Sequence, residues 1–423
     1  MHRTTRTTAV LLFVAWAVDY IDRQVINLAL PSIGETFGLS HGERGLIVSA
    51  FFVTYALTQI PAGLIAGRFG GVRVMCGALV LWSLFTGLTA VAWSFTALLV
   101  FRCLFGVAQG LFPTAAIDTL SRRTIPDQRL TANGWIQSSN AVGGLLAAVL
   151  GGLLLARFDW RVMFLVVSVL GLAVVVAIRR RLPGPLPAAL TGPVLEQVEG
   201  AAARLLRSPV IWLFALMFFA YDTVVWGLNS WSASYLMEER GLRVSDAGLV
   251  SLAPTLCAAA TAVIGGRLSD RFEGRPGRIV LPAMSATAVL LAVLPLTTSP
   301  AAYVVVATLI SAAVGLCYMP CFSLPLRSLP PGLTGAASGI ILFGGQLSGI
   351  LVPVLFGHIV DAFSYRAAFW SLALGPVLAV LVVLRVPQTT PAFLARLRTF
   401  TTATAPTPEE NDSDASPARH PGV

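Results

Sequence analysis

Residues 8–30 read TAVLLFVAWAVDYIDRQVINLAL. The run is long enough to cross a lipid bilayer, yet the adjacent charges Asp22 and Arg23 sit inside it. A charge near the bilayer centre costs at least a few kcal/mol on insertion scales, so it persists only with a partner or a task. A second buried cation, Arg102, lies in the fourth such run. These charges point to a membrane protein that handles an anion.

Composition agrees with the first run. The chain has 423 residues, 56% hydrophobic and only 12% charged, with a mean hydropathy of +0.79. A soluble chain carries about a quarter charged residues, so most of this one must face lipid or other helices. The formal net charge of +9 does not indicate nucleic acid. All the basic side chains are Arg, and they cluster in short segments between apolar runs, where they orient a membrane protein. Cys76, Cys103, Cys257, Cys317 and Cys321 fall within apolar segments and read as packing residues, although Cys317 and Cys321 lie on neighbouring helix turns. No metal and no cofactor is expected.

A spanning helix needs about 20 mostly apolar residues. Such runs fall near 8–30, 44–66, 74–93, 96–118, 131–156 and 161–180. After a gap come 209–236, 246–269, 278–297, 301–325, 335–360 and 366–386. The expected fold is an all-α membrane protein of twelve transmembrane helices in two six-helix bundles. Its parts are an N-terminal bundle (1–180), a linker (181–208), a C-terminal bundle (209–386) and a disordered tail (387–423). The linker holds Pro183, Pro185, Pro187 and Pro193, and a polar segment running to Arg207 that reads as helical. The first run is too long and polar for a cleaved signal peptide. Arginines crowd the stretch before helix 1, alternate loops such as 122–129 and 179–207, and the region after helix 12, whereas 90–96 and 297–301 have none. This asymmetry places both termini in the cytoplasm of a cell whose inner membrane holds the protein.

The two halves echo each other. AGLIAGRF at 62–69 recurs in altered form as GGRLSDRF at 265–272, and FDWRVMF at 158–164 as FSYRAAF at 363–369. The similar offset indicates a duplicated six-helix unit, a design that places a substrate site near the midplane between the halves. The Gly-Arg-Phe loops are expected to pack helix 2 on 3 and helix 8 on 9, or else to serve only as orienting charges.

These residues resemble the major facilitator superfamily. Its loop signature, G-x-L-x-D-R-x-G-R-R, is matched by Gly266, Asp270 and Arg271, and less fully by Gly63 and Arg68, where Gly67 replaces the acid. Within it the chain resembles the anion:cation symporter family, which includes carriers of hexuronate, galactonate, phthalate and sialic acid. The stretches that carry this likeness are YIDR at 20–23, SAFFVTYALTQIP at 49–61, FRCLFG at 101–106, FDWR at 158–161, GIILFGGQLSG at 339–349, and Pro353. The resemblance implies that Arg23 and Arg102 hold a substrate carboxylate, that Asp22 takes up a proton, and that Tyr55 contacts substrate. Family members commonly carry a Glu seven residues after the helix-4 Arg; here Gln109 stands there and cannot titrate. Either fewer protons accompany each substrate, or coupling moves elsewhere, with Asp222 in helix 7 as the candidate.

Physical chemistry supports those roles. A guanidinium grips a carboxylate through two parallel hydrogen bonds, and an anion that claims the Arg favours protonation of the neighbouring Asp, which couples proton to substrate. At ~1.5 Å rise per residue, Asp22 and Asp222 each lie about 20 Å from the cytoplasmic ends of their helices, and Arg102 about 9 Å from the outer end of its own. The charges are therefore expected to line one central cavity, joined by Asn140, Tyr221, Trp226 and Gln346. A purely structural ion network locking helices 1 and 4 is the competing reading. The function expected is proton-coupled symport of a small organic anion (a sugar acid, an aromatic acid or a dicarboxylate) by a monomer. The alternative is a proton-coupled exporter of a drug or anionic metabolite in the same fold. No nucleotide-binding loop, H-E-x-x-H or serine elbow is present, which argues against an ATP-driven pump or an intramembrane enzyme.

Overall fold

The computed structural model describes residues 3–124, 126–186, 205–329 and 331–403. The first six helices are α1 (Arg3–Phe37), α2 (His41–Phe69), α3 (Gly71–Ala90), α4 (Phe95–Ser121), α5 (Pro126–Arg157) and α6 (Trp160–Arg181). Six more follow: α7 (Pro209–Glu238), α8 (Val244–Arg271), α9 (Gly277–Leu296), α10 (Pro300–Ser328), α11 (Pro331–Ala362) and α12 (Tyr365–Val383). Ten of the twelve are spans by length and hydropathy alone, with α5 and α11 qualifying over Ser138–Arg157 and Ala336–Ala362. The other two, α1 and α2, run 35 and 29 residues and carry polar groups within their length. Among the described residues the fold is therefore all-helical, as expected, with twelve long helices, ten of them spans by that measure, in two groups of six. The proposed linker falls mostly within 187–204, outside the described residues. Within the tail, α13 (Thr390–Ala403) follows α12, with Phe393 fully buried against Phe214 at a ring-centroid distance of 6.0 Å; residues 404–423 of the expected disordered tail lie outside the described residues.

Helix ends follow the local chemistry. Ser40 caps α2 in a capping box with Glu43, Ser94 caps α4, Asp159 caps α6, Ser299 caps α10 and Ser364 caps α12. Each satisfies N–H groups that a helix start leaves open. Interruptions follow proline. Pro254, Pro320 and Pro376 offer no N–H to the carbonyl four residues back, and α8, α10 and α12 break at Ser251, at Tyr318–Met319 and at Leu372–Ala373.

Two apolar clusters form the interior, one built from residues of α1–α6 and one from α7–α13. Between lipid-embedded helices close packing of small residues replaces the hydrophobic drive, and the junction of the two clusters shows it. The turn between α1 and α2 lies at one end of the bundles, the distal end. There α2 lies on α11 so closely that a Cβ on Gly45 would come within 2.3 Å of the Pro353 carbonyl, and one on Gly357 within 2.2 Å of the His41 carbonyl. Trp231 of α7 donates its indole N–H to the same Pro353 carbonyl at 3.1 Å.

Candidate functional site

Arg23 and Arg102 meet in a narrow slot of about 10 Å³, lined also by Asn27, Phe51, Phe52, Phe105 and Trp226. That is room for about one water-sized group. Arg23 is engaged there. Its Nε and Nη2 donate to Gln109 Oε1 at 3.3 and 3.2 Å, and Nη2 also reaches Asp19 Oδ2 at 3.3 Å. Its guanidinium lies 4.7 Å from the Tyr55 ring centroid and 5.3 Å from that of Phe51, within cation–π range. Gln109 is itself fixed, because its amide donates to the Asp19 carbonyl at 3.2 Å.

Arg102 is arranged differently. It is 2% exposed, and its Nε and Nη2 find no hydrogen-bond partner among the described residues. These two atoms form one edge of the guanidinium, the edge that engages a carboxylate with parallel bonds. Phe164 and Phe105 sit 5.0 and 5.3 Å from its centre. Asp22, on the neighbouring α1, accepts nothing from it within ion-pair range; Asp22 Oδ2 instead accepts from Thr86 Oγ1 of α3 at 2.6 Å, and Oδ1 has no partner among the described residues. A buried guanidinium thus keeps an open two-pronged edge, and an unmet buried donor is costly.

Beside the slot lies a chamber of about 290 Å³ between α1 and α5 of one half and α7, α8 and α10 of the other. Among the described residues, no charged side chain lines it. The expectation that all the buried charges share one central cavity is therefore corrected. Neighbouring positions on a helix point about 100° apart, so Arg23 turns to the slot while Asp22 turns to α3. Asn140 and Tyr221 do line the chamber, Trp226 lines the slot, and Gln346 lines neither, with its buried Oε1 unpartnered. Asp222 is buried off the chamber, its Oδ2 lying where a Cβ on Gly345 would stand, 2.0 Å away. Sequence reasoning missed the chamber's Tyr20, Gln24, Ser232 and Thr255. The amides of Asn27 and Asn140 were the available signal, and the Oδ1 of each is buried without a donor.

The loop motifs act at the other end. Asp270 pairs with Arg327 at the end of α10 at 2.7 Å, rather than packing α8 on α9. In the first half, Asp118 of α4 accepts from the Gly71 amide at 3.2 Å. Carboxylates thus answer the nearest open donors, a guanidinium in one half and a helix start in the other. Arg68 is exposed over Phe69, a Cβ on Gly266 would meet only Met319 at 3.5 Å, and Arg271 closes α8. The surroundings of Gly63 lie outside the described residues. All five cysteines are free.

Comparison with known proteins fits this architecture. The chain is 27% identical over 393 residues to the hexuronate transporter of Bacillus subtilis (strain 168), covering 88% of this chain and 92% of that one. It is 25% identical over 403 residues to the probable galactarate/D-glucarate transporter of Escherichia coli (strain K12), covering 85% and 89%. Among solved structures, the D-xylose–proton symporter superposes with a TM-score of 0.77 at 16% identity, over 91% of this chain and 98% of that one. A bacterial homologue of the human lysosomal transporter Spinster, in an inward-facing unoccupied conformation, superposes at 0.75 with 21% identity, over 96% and 100%. The model of the Major Facilitator Superfamily matches residues 12–353; the protein belongs to that superfamily, as a carrier rather than an enzyme, and resembles its anion transporters.

Proposed function

We propose that this protein is a secondary active transporter that moves a small organic anion across the inner membrane together with protons, by alternating access. The observation that carries the reading is the open Nε–Nη2 edge of Arg102, buried in a slot it shares with Arg23 and adjoining an uncharged chamber between the halves. A carboxylate matches the open edge of Arg102 in shape and charge, and enters once the slot, which has room for about one water-sized group in this structure, widens. It reaches Arg23 only by displacing Gln109, a neutral acceptor, from the matching edge. The rest of the solute occupies the chamber, where Asn27, Asn140 and Tyr221 offer polar contacts. The named activities of the relatives, hexuronate and galactarate/D-glucarate transport, support an anion as cargo.

In this reading residues 1–180 and 209–386 rock as two bodies joined by 181–208, and the arginine asymmetry puts both termini in the cytoplasm and the distal end outside. Tyr55 holds the Arg23 guanidinium against its ring face. Asp22 and Asp222 are the proton sites: both are buried, and neither forms an ion pair among the described residues. Gly63, Arg68, Gly266, Asp270 and Arg271 belong to the loops that set how the halves move. A monomer suffices for this cycle.

Proteoliposomes with an imposed pH gradient test the proposal. Glucuronate, galactarate and phthalate are offered as labelled solutes. Saturable uptake of at least one, raised by external acid and lost in Arg102→Ala, is the expected result. Protein-dependent flux that ignores pH removes the proton coupling alone; no flux of any acid removes the anion-carrier reading.

A further inference from the structure

At the distal end the halves are joined by a side-chain cluster centred on His41, the first residue of α2. Its Nδ1 lies 2.7 Å from Asp361 Oδ1 on α11, and its Nε2 lies 2.8 Å from Glu238 Oε2 at the end of α7. Asp361 also accepts from the backbone amides of His41 and Gly42, at 2.9 and 2.7 Å, so a carboxylate from one half caps the helix start of the other. Glu238 accepts in addition from Arg44 of α2 and, at 2.8 Å, from the Tyr365 hydroxyl of α12. His358 of α11 packs on Gly42, where a Cβ would fall 2.5 Å from its Nδ1. Glu43 is turned away, held in the cap of Ser40 at 2.8 Å.

A neutral imidazole has one N–H. With a carboxylate oxygen within 2.8 Å of each ring nitrogen, the neutral ring would set a lone pair against an anion. The contact is satisfied when the trio holds one proton more than a neutral ring with two carboxylates. Once the halves part, His41 is an ordinary solvent-facing histidine, with a reference value near 6.5.

We propose that His41, Glu238 and Asp361 form a proton-binding latch, which takes up one proton as the distal end closes and releases it as that end opens. The hydrogen bond to Glu238 holds the His41 imidazolium above its ordinary range, with Asp361 acting in the same direction and Arg44 and burial against it. The sign follows. The closed state has the raised value, so its advantage is complete below the open-state value and is lost as pH rises through the closed-state value. The proton enters and leaves through the same face. It therefore adds nothing to transmembrane stoichiometry and serves only to gate, apart from any proton carried by Asp22 or Asp222. The latch rests on the alternating-access reading in one respect, that the distal end opens.

Spin labels on cysteines at Trp93→Cys and Thr298→Cys, one in each half on distal loops, report that opening by pulsed electron resonance. The measurement is made in nanodiscs between pH 5 and 8.5, in a background with the native cysteines replaced. The closed-to-open ratio is expected to fall by up to tenfold per pH unit through the window, the slope of one proton. His41→Gln, which keeps a side-chain N–H donor but does not titrate, should flatten the profile. Asp361→Asn, which leaves one carboxylate, should lower its midpoint. A wild-type ratio that is independent of pH, or a His41→Gln profile with the wild-type slope, overturns the latch. Substrate flux is a separate readout, so a flat ratio with intact flux defeats this inference and leaves the carrier reading standing.

Discussion

Gln109→Glu tests whether the substrate docks on the edge of Arg23 that Gln109 now covers. In the resting arrangement that edge meets a neutral amide oxygen at 3.3 and 3.2 Å, longer than the usual 2.9–3.0 Å for such bonds. A hydrogen bond with one charged partner, as Arg23 makes to Gln109, already contributes about 1.5–3 kcal/mol net, and a carboxylate adds the attraction between opposite unit charges, at least about 1 kcal/mol at ~4 Å. The introduced carboxylate therefore holds Arg23 more tightly by about 1–2 kcal/mol, which an incoming anion must overcome. At 1.4 kcal/mol per tenfold, the dissociation constant of the transported acid should rise roughly five- to thirtyfold at pH 7. The effect should fade as acid protonates the new side chain, because a protonated carboxyl presents a neutral acceptor much as the amide does. Calorimetric titration of purified protein with the transported acid, at pH 7 and pH 5, reads both limbs. An affinity within twofold of wild type at pH 7 means the carboxylate does not use that edge of Arg23, and the slot then serves Arg102 alone.

Arg102→Ala removes the open edge and should weaken binding by roughly thirtyfold or more, since a lost charged pair of bonds is worth at least about 2 kcal/mol; Arg102→Lys keeps the charge without the fork and should recover only part, read by the same titration, with an alanine variant of wild-type affinity refuting the role. Asp222→Asn should leave substrate exchange intact while reducing uphill accumulation under a pH gradient, and accumulation equal to wild type takes Asp222 out of the coupling path. Gly45→Ala places a methyl against the Pro353 carbonyl, where a Cβ has only 2.3 Å; overpacking of this kind costs about 1–3 kcal/mol. The distal spin-label pair should then shift toward its long distance at every pH, and an unchanged distribution shows that α2 and α11 do not meet that closely.

The architecture was legible because it follows from quantities summed along the chain. Apolar runs give spans, arginine spacing gives an orientation, and paired echoes give a duplication. Each survives an error of a few residues. The chamber was only partly legible. Asn27 and Asn140 stand out as amides in apolar runs, but Thr255 and Ser232 look like any small polar residue tolerated in a membrane helix, and only tertiary placement brings them to one wall. The latch was not legible at all. His41, Glu238 and Asp361 lie at the edges of apolar runs, where charged residues are ordinarily solvated, and they are separated by 197 and 320 residues of chain. Nothing local in the sequence distinguishes an end-of-helix carboxylate that faces water from one that caps a helix in the other half.

The same limit explains how the pair that first marks the chain divides its work. Asp22 and Arg23 are neighbours in sequence and invite reading as one ion pair, yet a helix turns about 100° between them. Partners on α1's own surface come three or four residues away, and Arg23 accordingly finds Asp19, its i−4 neighbour, at 3.3 Å. Asp22 is left to Thr86 of α3, with one oxygen unpartnered, and Arg102 is left with a bare edge. Had Asp22 and Arg102 closed on each other, the buried charges would neutralise as a structural pair and offer an anion nothing. Each instead keeps one unmet hydrogen-bonding face, at a cost in stability that a purely structural network has no reason to carry. A site that must release its ligand on every cycle does have such a reason, because groups already satisfied by each other would have to be pulled apart before each solute could bind.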